Sequence, residues 1–343
     1  MENRDSTIDI AKGICIFLMV LGHTYFYSWF NDRVYLFHMP FFFFVSGFFF
    51  STKKNLKDFV LNKTKRLLVP MLIYWAFGVL LTLPIALRNG NLPGLQIGAL
   101  WFLLSLWTIF LLSYLISKFA EGYISKLLLG FVFLAVAYGL KANNIQMPCH
   151  FVQSLFMLPI FLLGMIFYQS KIHLIKDESY EANRSLYQLF FYKRKYYLLI
   201  GVFGLVILAI GNLDYLNVEN LIVPNPFSLF VGAFSGIFLI LAISRICCRL
   251  SPKITKSLSN LGKKSLHVLG FHFAILEILY FFVIALGIRM EKWLGLDVHT
   301  GLEIKQDMPL LALLLAIVAT CISYCLGLFF EKTCPSLWSN KRT

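Results

Sequence analysis

The sequence predicts an all-α fold: a polytopic integral membrane helical bundle of about ten transmembrane helices, with both termini cytoplasmic. Three observations predict it. Of the 343 residues, 59% are hydrophobic and only 14% charged, where a soluble domain has roughly 45–50% and 25%. Apolar segments recur along the chain at spanning length, about 17–25 residues each. Lysine and arginine are distributed unevenly between the loops those segments define.

Ten segments can be laid out in order, near 8–29, 34–51, 67–87, 99–117, 125–141, 150–169, 196–213, 225–246, 266–288 and 308–330. The first is read as a retained span: Asp9 interrupts the basic lead-in of a signal peptide, and the residues after His23 offer no small-residue cleavage site. With the N-terminus inside, 24 of the 31 Lys and Arg residues fall in inner segments and six in outer ones. The net charge of +14 is therefore a topology signal, with anionic lipid headgroups as its partner and no nucleic acid implied. The longest hydrophilic stretch, 170–195, is too short and charged to bury a core, so residues 1–343 read as a single membrane domain. Of the seven cysteines, Cys15, Cys321 and Cys325 fall in apolar spans and Cys247 and Cys248 in a basic loop, and no CxxC or Cys/His spacing occurs, so neither a disulfide framework nor a metal site is expected.

The first segment departs from a plain anchor. Lys12 and His23 are eleven residues apart, about three helical turns plus 20°, so both lie on one stripe, and Asp9 joins it three residues before Lys12. Ionisable groups on one face of a spanning helix are costly unless they look into protein or a wet cavity, and they mark function by default.

The opening IDIAKGICIFLMVLGH, followed by YLFHMPFFFFVSGFFF, resembles the bacterial family-3 membrane acyltransferases, which include surface-polysaccharide O-acetylases and their fucose O-acetylase-like branch. Lys12 and His23 match the family's basic-x10-His element. Lys63, Arg66 and Pro70 in NKTKRLLVP match its basic pair and proline, with Lys63 standing where arginine is commoner. LWFLLSLW, PIFLLGMIF and LGKKSLHVLGFH are similar to later spans, so the likeness runs from residue 4 to about 280.

The resemblance implies a multi-pass O-acyltransferase of the bacterial inner membrane. It would move an acetyl group from acetyl-CoA to a hydroxyl of an extracytoplasmic or lipid-linked sugar, without a metal. His23 and Asp9 form the expected catalytic set. The imidazole would either take the proton of the attacking hydroxyl or carry the acyl group covalently, and Asp9 would hold Lys12. Lys12, Lys63 and Arg66 are expected on the acyl-CoA side. The basic pair is placed where a helix re-enters the membrane, with its N-terminal dipole and free amides favouring phosphate. His38, Trp101, His272 and Glu277 are the expected acceptor-side residues. The competing structural roles are an interfacial histidine for His38, an aromatic-belt residue for Trp101, and buried structural hydrogen bonds for His272 and Glu277. A glycolipid or solute transporter or flippase is the rival class, since it too would carry intramembrane ionisable groups. The His173-x3-Asp177 pattern of a soluble acyltransferase family lies in a charged loop without that family's context and is set aside, as are the sequons at Asn62 and Asn183.

Overall fold

Why helices dominate is visible in the sequence: long apolar runs carry few breakers, and in lipid only a helix satisfies every backbone group within one segment. The computed structural model describes residues 6–24, 26–88, 97–170, 172–176, 180–294 and 309–335. Arg4, Lys171, Lys305, Lys341 and Arg342 of the charge count, and Asp177, lie outside them.

In chain order the helices are α1 (Ser6–Gly22), α2 (Ser28–Tyr35), α3 (His38–Phe48), α4 (Leu56–Lys63), α5 (Val69–Arg88), α6 (Trp101–Phe119) and α7 (Gly122–Ala142). They continue with α8 (Phe151–Gln169), α9 (Leu186–Phe190), α10 (Arg194–Ile210), α11 (Pro226–Cys247), α12 (Pro252–Lys263), α13 (Ser265–Leu294) and α14 (Pro309–Thr333). A π-helical turn, Thr64–Leu68, joins α4 to α5, and short 3₁₀ turns precede α6 and α8.

Among the described residues seven helices are long and apolar enough to cross a membrane: Leu56–Arg88, Gly98–Phe119, Gly122–Ala142, Pro148–Gln169, Pro226–Cys247, Ser265–Val283 and Pro309–Thr333. Three of the ten expected spans are not among them. The helices in the first and seventh segments, α1 and α10, have 17 residues each, about 25 Å of helix against a hydrocarbon core of roughly 30 Å. The second segment is broken. Leu36 and Phe37 separate α2 from α3, and Pro40 sits in the first turn of α3, where its missing N–H costs nothing but a continuous helix through it would be interrupted. The hydrophilic stretch 170–195 also carries more structure than expected. It holds an antiparallel hairpin, β1 (Ile172–Lys176) and β2 (Tyr180–Arg184), paired Ile172↔Arg184 through Lys176↔Tyr180, followed by α9 with a Ser185–Gln188 capping box.

The chain divides into two units built from interleaved segments. The first comprises residues 1–34, 69–100 and 247–343. Its α1 packs on α12 at a crossing where backbones meet: a Cβ on Gly262 would lie 1.7 Å from the Asp9 carbonyl oxygen, and one on Gly13 2.2 Å from that of Leu258. Small residues at such a crossing let helices approach without a hydrophobic drive between them. Helix α13 packs on α5 and α14, and a polar chain ties the three together. The buried Tyr74 hydroxyl donates to His267 Nδ1 (2.8 Å), His267 Nε2 donates to Glu331 (2.9 Å), and Lys264 pairs with the other Glu331 oxygen. Every atom of that chain has a partner, as burial requires.

The second unit comprises residues 35–68 and 101–246. Here α3 lies on α8 through Gly47 and Gly164, the latter so close that a Cβ would stand 1.9 Å from the Phe44 carbonyl. Around that crossing Phe43, Phe44, Phe48, Phe156 and Phe161 are fully buried. Gln169 donates to the carbonyls of Phe48 (3.0 Å) and Phe50 (2.8 Å), satisfying acceptors left over at the end of α3.

Candidate active site

Helix α1 brings the first ionisable groups into the interior of its unit. Asp9 is only 3% exposed, and its Oδ1 lies 3.6 Å from Lys12 Nζ one turn on. The i,i+3 spacing read from the sequence is thus an ion pair, half covered by α12 where Gly262 closes on the Asp9 backbone. His23 follows the last turn of α1, its N–H still bonded to the carbonyls of Met19 and Val20. Thr24 ends the helix by donating its hydroxyl to Leu21 O (2.7 Å). Eleven residues of helix place Lys12 about 16 Å along the axis from His23. The two ends of the stripe therefore stand well apart along the helix.

Opposite His23 stands His272 from α13, fully buried, with ring centroids 5.3 Å apart and planes at 34°. Its Nδ1 lies 2.9 Å from Val268 O and 3.0 Å from Leu269 O. Phe273 closes the group, 4.6 Å from the His23 ring and 4.8 Å from that of His272. Behind Phe273 is Gly98, at φ +46, where a Cβ would stand 3.7 Å from the phenyl ring. Glycine is the residue that adopts this left-handed conformation at no steric cost. His23 itself is half-buried. One imidazole is therefore presented and the other stands behind it.

Four further candidates are in the second unit. His38 opens α3, 3% exposed, its ring edge-on to Tyr35 at 4.9 Å, so it is an interior residue and not an interfacial one. Trp101 is also buried, its ring 6.0 Å from His150 and 6.3 Å from Phe43. It is a core residue, neither a lipid-facing belt tryptophan nor an open platform for a sugar ring. Lys63 Nζ lies 3.2 Å from the centroid of Phe110 and 5.4 Å from that of Phe59, while Arg66 is exposed.

The helix N-terminus expected at the basic pair is not there. The helix starts at Leu56, capped by Asn55 accepting from the Asp58 N–H (2.8 Å), and runs on through the π turn into α5. Lys63 and Arg66 thus have helical hydrogen bonds around them instead of free amides. The π turn is pinned by Trp107, whose indole N–H donates to Thr64 Oγ1 (3.0 Å). Such turns are frequent at functional positions.

Glu277 also departs from expectation. It is exposed, five residues and so about 140° around α13 from the buried His272. Two features escaped the sequence reading. The Tyr74–His267–Glu331–Lys264 chain joins residues up to 257 positions apart (74 to 331), and no local pattern announces it. The other is the pair Cys149 (φ 60) and His150 (φ 52), two consecutive left-handed residues that are not glycine. The His150 carbonyl is held there by hydroxyls of Ser105 (3.3 Å) and Ser154 (2.9 Å). Among the described residues no cluster of His, Cys, Asp and Glu is arranged to hold a metal ion.

Two curated proteins called "Nodulation protein NolL" are similar over 139 residues: one from Mesorhizobium japonicum at 29% identity and one from Sinorhizobium fredii at 32%. Each alignment covers 34% of this chain and 37% or 38% of the relative, so the chain spans little more than a third of the length of the relatives it matches. No solved structure matches. The model of acyltransferase family 3, described as an acyltransferase domain, matches residues 5–328, an interval that takes in the α1 ion pair, both facing imidazoles and the basic π turn. The chain belongs to acyltransferase family 3.

Proposed function

We propose that this acyltransferase is an integral membrane O-acetylase of the bacterial inner membrane, with both termini cytoplasmic. It moves an acetyl group from cytoplasmic acetyl-CoA to a hydroxyl of an extracytoplasmic or lipid-linked sugar. The observation that carries the reading is the half-buried imidazole of His23 at the end of α1, backed by a second imidazole. In the reaction His23 takes the proton of the acceptor hydroxyl as its oxygen attacks the thioester carbonyl. A C–O bond forms, the C–S bond breaks, and the departing thiolate receives the proton.

On the donor side Arg66 is the exposed residue of the basic pair, and its planar fork suits a phosphate or pyrophosphate. Lys63, seated on two phenyl rings, shapes that turn through a cation–π contact. Lys12, held by Asp9, meets the donor along its length about 16 Å from the reacting carbon.

The test uses the full chain in nanodiscs with radiolabelled acetyl-CoA and candidate sugars. An O-acetylase hydrolyses acetyl-CoA slowly alone and transfers label to its acceptor; a transporter leaves it intact. His23→Ala is expected to insert normally and lose transfer by about two to four powers of ten. Unchanged turnover in that variant would remove His23 from the chemistry.

A further inference from the structure

We infer that His272 is a positioning residue that sets the tautomer of His23 and stabilises the charge it acquires; this rests on the reading of His23 as the base. Both groups within reach of His272 Nδ1, the carbonyls of Val268 and Leu269, are acceptors only. Nδ1 therefore carries the hydrogen. Nε2 is buried and has no hydrogen-bond partner among the described residues. A second proton there would bury a cation with one N–H unsatisfied, which an apolar surrounding penalises heavily. His272 is thus a neutral imidazole with one lone pair to offer.

The ring that faces it is His23. The two rings are not hydrogen-bonded through His272 Nε2 in this structure, but ring nitrogens lie roughly 1.1 Å from their centroid, so with centroids 5.3 Å apart a turn of the His23 ring brings one nitrogen of each to about 3 Å, which is hydrogen-bond range. Phe273, in contact with both rings, limits their rotation. A lone pair can only accept, so the His23 nitrogen that turns to His272 must be its N–H. The other nitrogen is then unprotonated, which is the form a general base needs.

When the acceptor hydroxyl loses its proton to that nitrogen, His23 becomes an imidazolium, and the N–H it turns to Nε2 makes a charge-assisted hydrogen bond, shorter and stronger than a neutral one. The bond reverts when the proton passes to the thiolate. No proton moves onto His272, and no further reactant is required. A neutral imidazole here does the orienting work that a third group does behind a general base elsewhere.

Asparagine and glutamine separate this role from simple packing. The amide of His272→Asn can still donate where Nδ1 did but reaches no further, whereas the longer His272→Gln places its carbonyl oxygen near the Nε2 position. Both variants are purified alongside His23→Ala, their folding checked by size-exclusion profile and melting temperature, and their acetyl transfer measured. His272→Asn should lower kcat by about 10- to 100-fold with KM for acetyl-CoA unchanged, and His272→Gln should recover several-fold of that loss. Wild-type kcat in His272→Asn overturns the inference, as does an equal loss in both variants, which would mark a packing role. If asparagine unfolds the chain, His272→Gln decides alone: a lowered kcat at unchanged KM supports the role and a wild-type kcat overturns it. An active His23→Ala would instead overturn the base reading beneath it.

Discussion

Gly262→Ala probes the crossing that places Asp9 and Lys12. The added Cβ would stand 1.7 Å from the Asp9 carbonyl oxygen and within 2.8 Å of the Gly13 nitrogen. Nonbonded carbon and oxygen do not approach closer than about 3 Å, so α12 must withdraw from α1 by roughly 1.3 Å. Both partners at the clash are helical backbone and cannot swing aside as a side chain could. Overpacking of this kind costs about 1–3 kcal/mol. A radial gap near 1 Å also forfeits up to half the dispersion energy of the atoms lining it. At roughly 2–4 °C per kcal/mol for a chain of this order of size, the melting temperature in detergent should fall by about 2–12 °C. The KM for acetyl-CoA should rise as the ion pair shifts, while residual kcat stays within a few-fold because His23 is held by α13. Gly139→Ala in α7 is the control, because a Cβ there meets nothing within 4 Å and alanine raises helix propensity; its melting temperature should hold or rise. Equal melting of Gly262→Ala and wild type would refute the crossing.

Other perturbations separate the remaining parts. Arg66→Ala should raise the KM for acetyl-CoA several-fold at unchanged kcat, the signature of lost uniform binding. Lys63→Ala should leave KM nearly alone and cost about 1 kcal/mol of stability through its cation–π contacts. Tyr74→Phe removes the donor to buried His267 Nδ1 and should cost about 1–3 kcal/mol in thermal unfolding. Burial holds the Glu219 carboxyl, in the loop after α10, above its ordinary value, so its folded form favours the proton. Its contribution is complete below the ordinary carboxylate range and declines as pH rises through the raised value; Glu219→Gln should therefore melt like wild type at pH 4 and higher than wild type at pH 8. In a cysteine-free background a single cysteine at Thr52, an exposed position, should be shielded from an impermeant thiol reagent in intact cells, and one at exposed Asn220 should label. The reverse pattern would leave acetyl-CoA on the wrong side of Arg66.

Helices were legible where hydrophobicity alone decides them. The seven longest apolar helices coincide with segments read from spanning-length runs, because in those stretches nothing local competes with the helix. The second segment failed for a reason inside the sequence: hydropathy averages over Pro40 and cannot feel a missing N–H. The basic pair failed differently. A span opening near residue 67 with Lys63 and Arg66 at its helix N-terminus fits the hydropathy but not the hydrogen bonding, since Asn55 caps the helix eight residues before Lys63. The polar Asn55 before Leu56 is the local signal of that start, and a count of charges does not register it.

The stripe on α1 was legible because a helix fixes its own geometry: Asp9 and Lys12 meet at the spacing the periodicity dictates. What faces that stripe was not, because partners from α13 are chosen by packing across 249 positions of sequence (23 to 272). LGFH carried the histidine in plain view, yet only the fold sets its Nδ1 on two carbonyls and turns its remaining nitrogen inward. Glu277, equally polar in an equally apolar run, comes out on another face of the same helix. Five residues of helical phase separate a group that can act on His23 from one that cannot. An ionisable residue in an apolar helix therefore says that something costly is being maintained, and the phase of its neighbours decides for what.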